Sequence, residues 1–289
     1  MRAYRLGSAM LCGVAQTAPR LGEPARNLEA CLARLEEAAA AGCRFVVLPE
    51  CATSGYMFAS EENAARAAEP IPGPSVEALE RACARLDLYC VAGLLERDED
   101  RLHNSAVLVG PEGFVGRYRK THLPYLGVDR FVVPGDEPPE VFETPLGRIG
   151  IEICYDLRFP ELTRAMALRG AEIVVHPTNW PAAVRPLADF LTRARAAENR
   201  VFLLTANRVG REGGTEFFGR SQVVDPLGTR LAEAGEEGEE LVVAEIDPAE
   251  AREKDRVIVP GEYELHLFGD RRPELYGALV EEAHPVHMR

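Results

Sequence analysis

The chain has 289 residues, 46% of them hydrophobic, enough to bury a continuous core in one large α/β domain. Acidic residues outnumber basic ones by 46 to 33, for a formal net charge of -13, and such a field repels nucleic acid and anionic membranes on average. No apolar run approaches the ~20 residues that span a bilayer, and no basic stretch followed by an apolar one opens the sequence. A cytoplasmic protein without nucleic-acid or membrane partners is therefore expected.

Seven cysteines (Cys12, Cys31, Cys43, Cys51, Cys83, Cys90 and Cys154) are odd in number and lack the paired spacing of a disulfide or zinc framework. They are expected to be reduced, mostly as small buried apolar residues, and no metal is called for.

The predicted elements alternate. Met10–Ala15 reads as a buried strand, and after a turn at Ala18–Glu23 the apolar residues Leu28, Cys31, Leu32, Leu35 and Ala38 recur at helical spacing within Asn27–Ala41. Gly42 stops that helix. Phe45–Leu48 is a short apolar strand that delivers Glu50 to its C-terminal end, where α/β sheets assemble sites. Val76–Leu86 reads as a helix and Tyr89–Leu94 as a strand. Ser105–Val109 and Gly113–Tyr118 read as a hairpin about Pro111 and Gly113.

Downstream come strand Ile149–Ile153, helix Glu161–Arg169, strand Ile173–His176, helix Leu187–Asn199 and strand Val201–Ala206. Ser221–Val224 and Leu241–Ile246 are expected to form a last hairpin flanking Pro226 and Gly228. This order gives an α/β layered fold in a single domain over 1–289. Its charged, Pro- and aromatic-rich end, 255–289, reads as an extension that packs elsewhere.

Three residues could divide the work of acyl transfer, which needs a nucleophile, a base and donors for an oxyanion. Cys154 falls on a turn between strand and helix, where backbone N–H groups favour a thiolate; as a bland alternative it is a buried structural cysteine. Glu50, desolvated at a strand end, could act as a base or be an exposed charge or helix cap. Lys120 could face a developing oxyanion or sit in a solvated basic turn. His122 and His176 lie beside prolines at strand ends and make a less convincing base for Cys154.

The segments Leu48-Pro-Glu50 with Thr53-Ser-Gly-Tyr56, Gly116-Arg-Tyr-Arg-Lys120-Thr-His-Leu-Pro124, Gly150-Ile-Glu-Ile-Cys154-Tyr-Asp-Leu-Arg-Phe-Pro-Glu161 and Arg193-Ala-Arg-Ala-Ala-Glu-Asn199 follow one another across nearly the whole chain. In this order and spacing they resemble the nitrilase superfamily of carbon-nitrogen hydrolases, within its amidase and carbamoylase branch. The resemblance implies a four-layer α-β-β-α sandwich, no cofactor, a homodimer or higher homo-oligomer with 255–289 packing at an interface, and a Glu50, Lys120, Cys154 triad. Where the family has a second glutamate, this chain offers Asp129, so that a shorter carboxylate would orient Lys120 or the substrate, or the role would be absent.

The implied reaction is hydrolysis of a small linear amide or N-carbamoyl compound through a Cys154 thioester, with the backbone N–H of Tyr155 completing the oxyanion site. Arg158 matches a carboxylate-binding arginine of relatives that act on N-carbamoyl amino acids, and a guanidinium suits a carboxylated substrate; equally, it could pair with Asp156 or Glu161. Tyr56, Asn179 and Trp180 are expected to line the pocket, with a core or interface role as the alternative for Trp180. Competing functions are nitrile hydrolysis by the same triad through a thioimidate, and a catalytically silent binding protein of the same fold.

Overall fold

The computed structural model describes residues 9–281. The first half of the chain runs β1 (Met10–Gln16), α1 (Pro24–Ala40), β2 (Phe45–Val47), α2 (Glu61–Ala67), α3 (Pro74–Leu86), β3 (Tyr89–Asp98), β4 (Arg101–Gly110) and β5 (Gly113–Arg119). Proline opens α1 and α3, where its fixed φ suits the first turn and its missing N–H costs nothing. The second half runs β6 (Val141–Thr144), β7 (Gly147–Ile151), α4 (Pro160–Leu168), β8 (Ile173–Thr178), α5 (Leu187–Asn199), β9 (Phe202–Asn207), β10 (Val209–Glu212), β11 (Thr215–Phe218), β12 (Gln222–Val224), β13 (Arg230–Glu233) and β14 (Glu240–Ile246).

Two six-stranded sheets result, ordered β14-β1-β2-β3-β4-β5 and β6-β7-β8-β9-β12-β13. Each has three parallel strands at its centre, one antiparallel strand on one flank and an antiparallel pair on the other. The central strands β2, β8 and β9 are buried throughout, as expected of strands covered on both faces, and apolar but for His176, Thr178, Thr205 and Asn207. Helices α1 and α3 cover the outer face of the first sheet and α4 and α5 that of the second, while β1, β2 and β3 pack against β8 and β9 between the layers. The fold is the α-β-β-α sandwich.

A continuous apolar core lies under α1 and α3, including Leu35, Val46, Leu79, Leu88, Leu94 and Val107. Burying each such side chain stabilises the fold by roughly 1.5–3 kcal/mol.

One expected pairing is corrected. Ser221–Val224 does not pair with Leu241–Ile246: Asp225 Oδ1 accepts the N–H groups of Leu227 and Thr229, both at 2.8 Å, and Gly228 takes φ +82°. The chain therefore turns back at once, and β12 pairs with β13. Leu241–Ile246 crosses to the other sheet and runs antiparallel to β1, with Met10 opposite Ile246.

The chain divides into two compact units, 1–252 and 253–289. The first holds both sheets and every candidate site residue. The second contains a small hairpin, Arg256–Val259 with Tyr263–Leu265, and two single turns of 3-10 helix.

Candidate active site

Glu50, Lys120 and Cys154 meet because each follows the end of a strand. Leu48-Pro49-Glu50 continues β2 and lies directly on β3 at Gly93, where an added Cβ would come within 2.5 Å of Pro49 O and 2.6 Å of Glu50 Cα. Lys120 follows β5, its N–H donating to Asn104 O at 2.8 Å. Cys154 comes three residues after β7 and opens a short 3-10 turn, Cys154–Arg158. Its φ of +49° is left-handed, a conformation that costs a non-glycine residue on the order of 1–3 kcal/mol and persists only where surroundings impose it.

A buried ammonium sits between two carboxylates. Lys120 Nζ donates to Glu50 Oε1 at 2.7 Å and to Asp129 Oδ2 at 2.6 Å, with all three side chains fully buried. Asn104 Nδ2 donates to Glu50 Oε1 at 2.7 Å and Asp129 Oδ1 at 2.8 Å, and the Tyr56 hydroxyl donates to Asp129 Oδ2 at 2.8 Å. Asp129 thus spends both oxygens on Lys120, Asn104 and Tyr56. The shorter carboxylate orients the lysine.

Burial lowers the proton affinity of Lys120, but Asp129 and Glu50 outweigh it and hold the amine well above its ordinary range, fully charged. Burial raises the Glu50 carboxyl against the pull of Lys120. Glu50 Oε2 has no hydrogen-bond partner among the described residues. The Cys154 thiol is pushed up to about 12, first by burial and then by Glu50; Lys120, the Thr178 hydroxyl and the Asn179 backbone N–H act in the opposite direction. A thiol this weakly acidic needs a base beside it, and a carboxylate of raised basicity is there.

Asn179 extends from the end of β8, and its Nδ2 donates to Glu50 O at 2.9 Å. His176, on β8 itself, donates from Nε2 to Cys154 O at 3.0 Å, and burial lowers its pKa to about 4. It is a neutral prop for the backbone of Cys154.

A cavity of about 130 Å³ opens at Cys154. Tyr56, Leu126, Trp180, Val184 and Leu187 give it apolar walls, and Tyr155, Arg158 and Asn179 also line it. Trp180 is nearly buried and stacks at 6.2 Å on Phe218. Arg158 is exposed, its guanidinium 5.8 Å from the Tyr155 ring centroid, and it forms no ion pair with Asp156 or Glu161. Among the described residues no three His, Cys, Asp or Glu side chains are arranged to hold a metal ion.

All nine residues singled out in the sequence therefore gather around one cavity and the ion cluster behind it. Asn104 was missed, because the expected strand began at Ser105 whereas β4 begins at Arg101. A run of buried polar residues, His103-Asn104-Ser105, inside an apolar strand was the available signal. Asp156, weighed in the sequence only as a partner for Arg158, bonds instead to Tyr118, His122 and the N–H of Ile153.

The carbon-nitrogen hydrolase family model matches residues 11–256. A nitrilase of Pyrococcus abyssi is 40% identical over 90% of this chain and 97% of its own. An (R)-stereoselective amidase of a Pseudomonas species is 36% identical over 91% and 97%, and a human omega-amidase 32% identical over 86% and 90%. Among solved structures, a double mutant of the amidase from Nesterenkonia sp. AN1, in complex with acrylamide, superposes with a TM-score of 0.78 at 27% identity, covering 95% of this chain and 98% of that one. Another structure of that amidase has the acetamide moiety of fluoroacetamide added at its active-site cysteine. With a family model matching most of its length and relatives this similar along nearly all of it, the chain belongs to the carbon-nitrogen hydrolases of the nitrilase superfamily.

Proposed function

We propose that the protein hydrolyses the carbon-nitrogen bond of small linear amides to an acid and ammonia through a thioester on Cys154. The observation that carries this reading is the free Oε2 of Glu50 in a buried cluster whose other oxygen is tied to Lys120 and Asn104. That oxygen takes the thiol proton as sulfur attacks the amide carbon. An ammonium has three donors; Glu50 and Asp129 occupy two, and the third, with the Tyr155 N–H, holds the tetrahedral oxyanion. Glu50 then passes its proton to the departing nitrogen. Water, activated by the same carboxylate, cleaves the thioester and restores the thiol.

The cavity selects the acyl group. Its volume of about 130 Å³ and apolar walls suit a short unbranched chain, and Arg158 at its rim suits a distal carboxylate. The nitrilase name of the Pyrococcus abyssi relative supports a second reading, attack on a nitrile by the same triad. Ammonia release from neutral aliphatic amides, amides with a distal carboxylate, N-carbamoyl amino acids and nitriles, each beside Cys154→Ala, tests both. Turnover of amides that vanishes in the variant supports the first reading; turnover of nitriles alone supports the second, and turnover that survives in the variant overturns both. If Arg158 receives a carboxylate, Arg158→Met raises KM for carboxylated amides about tenfold or more and leaves neutral ones unchanged.

We place the protein in the cytoplasm, since seven free, buried cysteines suit a reducing compartment. We further propose a homo-oligomer in which the tail packs at an interface, a reading supported by the exposed apolar residues Val257, Val259 and Tyr263; of the expected extension 255–289, residues 282–289 lie outside the described residues.

A further inference from the structure

We infer that Asp156 is a positioning residue that ties the turn bearing Cys154 to the strand end bearing Lys120. The two belong to different sheets and are 34 positions apart in the chain, so nothing covalent nearby fixes their separation. Asp156 is fully buried and spends both oxygens across this gap. Oδ2 accepts from the N–H of Ile153 at 2.9 Å and from the Tyr118 hydroxyl at 2.9 Å; Oδ1 accepts from the N–H of His122 at 2.9 Å and from His122 Nδ1 at 2.8 Å. Ile153 and Asp156 bracket the nucleophile. Tyr118 and His122 bracket the lysine.

One carboxylate therefore collects two backbone and two side-chain donors, three of the four from the residues that flank Lys120, one on Tyr118 and two on His122, and the fourth from the residue preceding Cys154. Facing the oxygen that already accepts the His122 backbone N–H, His122 Nδ1 is the donor of the pair. The His122 ring stacks on Phe159, centroids 3.6 Å apart, which fixes the donor's direction. The Thr121 N–H donates to the Tyr118 oxygen at 3.3 Å, which leaves the phenolic proton for Asp156. Asp156 touches neither substrate nor sulfur in this arrangement and acts through the separation of the two residues that do. The inference rests on the proposed thioester chemistry for its kinetic reading.

Tyr118→Phe removes one donor and keeps the carboxylate; Asp156→Asn keeps the shape and sets an amide N–H against one of the donors. Each is measured for kcat and KM with the amide turned over in the panel, for the rate and saturation constants of Cys154 alkylation by iodoacetamide, and for Tm. The expected result is a 10- to 100-fold loss in kcat with KM within threefold, and a parallel loss in the maximal alkylation rate, in folded protein. Folded variants with parental kcat and parental alkylation rate overturn the inference, as does activity that falls only with the folded fraction. Should Asp156→Asn not fold, Tyr118→Phe decides. Should no amide be turned over even by the parent, alkylation still decides the inference while the amide reading fails separately.

Discussion

At the residue scale, the reaction is governed by what burial does to protons. Cys154 is held as a thiol and Glu50 is raised by desolvation, so the pair is ready for transfer but uncharged sulfur waits for its electrophile. Cys154→Ala should lower turnover on the order of 10⁴-fold or more with the fold intact, as measured by ammonia release and circular dichroism. Glu50 works as a base only when ionised. The acid limb of kcat/KM should therefore lie above the usual carboxylate range, while Lys120, held charged, adds no limb near pH 8. A limb at an ordinary carboxylate value would remove Glu50 from that role.

Glu152, two residues before Cys154, has one oxygen bonded by the Thr163 hydroxyl at 2.7 Å and the other without a partner among the described residues. Burial pushes its pKa up to about 8 from 4.5. The native state then keeps a proton that the unfolded chain has lost, so this group's contribution to stability declines as pH rises from about 4.5 to about 8 and is constant above. Melting curves of Glu152→Gln and the parent should diverge in the variant's favour across that window by a few kcal/mol; a constant difference from pH 5 to 9 would count against it. None of this was legible in the sequence. Glu152 reads as one letter in a motif, and only the packing of α4 reveals its isolation.

At the element scale, sequence reading succeeded where a segment carries its own signal. Leu187–Asn199 shows helical periodicity and α5 has the same bounds. The Glu50, Lys120 and Cys154 segments were found because strand ends and motif order are local properties. Pairing is not. Ser221–Val224 and Leu241–Ile246 both read as strands, yet their partners depended on the Asp225 turn and on β1, far away in the chain. The Gly213-Gly214 turn of the β10-β11 hairpin, with both φ positive, was a legible signal left unread. Gly93 shows how an element can serve the site at a distance: a methyl group there meets three backbone atoms of the Glu50 turn at 2.6 Å or less. Gly93→Ala should lower kcat at least tenfold as that turn is pushed off β3, and parental kcat in the folded variant would show that the turn has slack.

At the scale of the whole molecule, the two sheets share one pattern of parallel and antiparallel neighbours, although no repeat is visible in the sequence. Layer packing constrains which positions are apolar, and many sequences meet that demand. The ion cluster comes from the first half of the chain and Cys154 from the second, so neither half holds the candidate site alone. The unit 253–289 carries none of these residues. A chain ending at Arg252 should keep its circular dichroism spectrum and sediment as a smaller species than the full chain. Unchanged sedimentation would separate the tail from assembly.

The pairing of Met10 with Ile246 has a consequence for how the protein is made. While the chain leaves the ribosome, β1 appears early and its neighbour β14 only after more than two hundred further residues. At roughly 5–20 residues per second, the edge of the first sheet stays open for tens of seconds, offering unpaired N–H and C=O groups to other nascent chains. Yield in a cell should therefore depend on holding that edge apart until translation ends, whatever the stability of the finished sandwich.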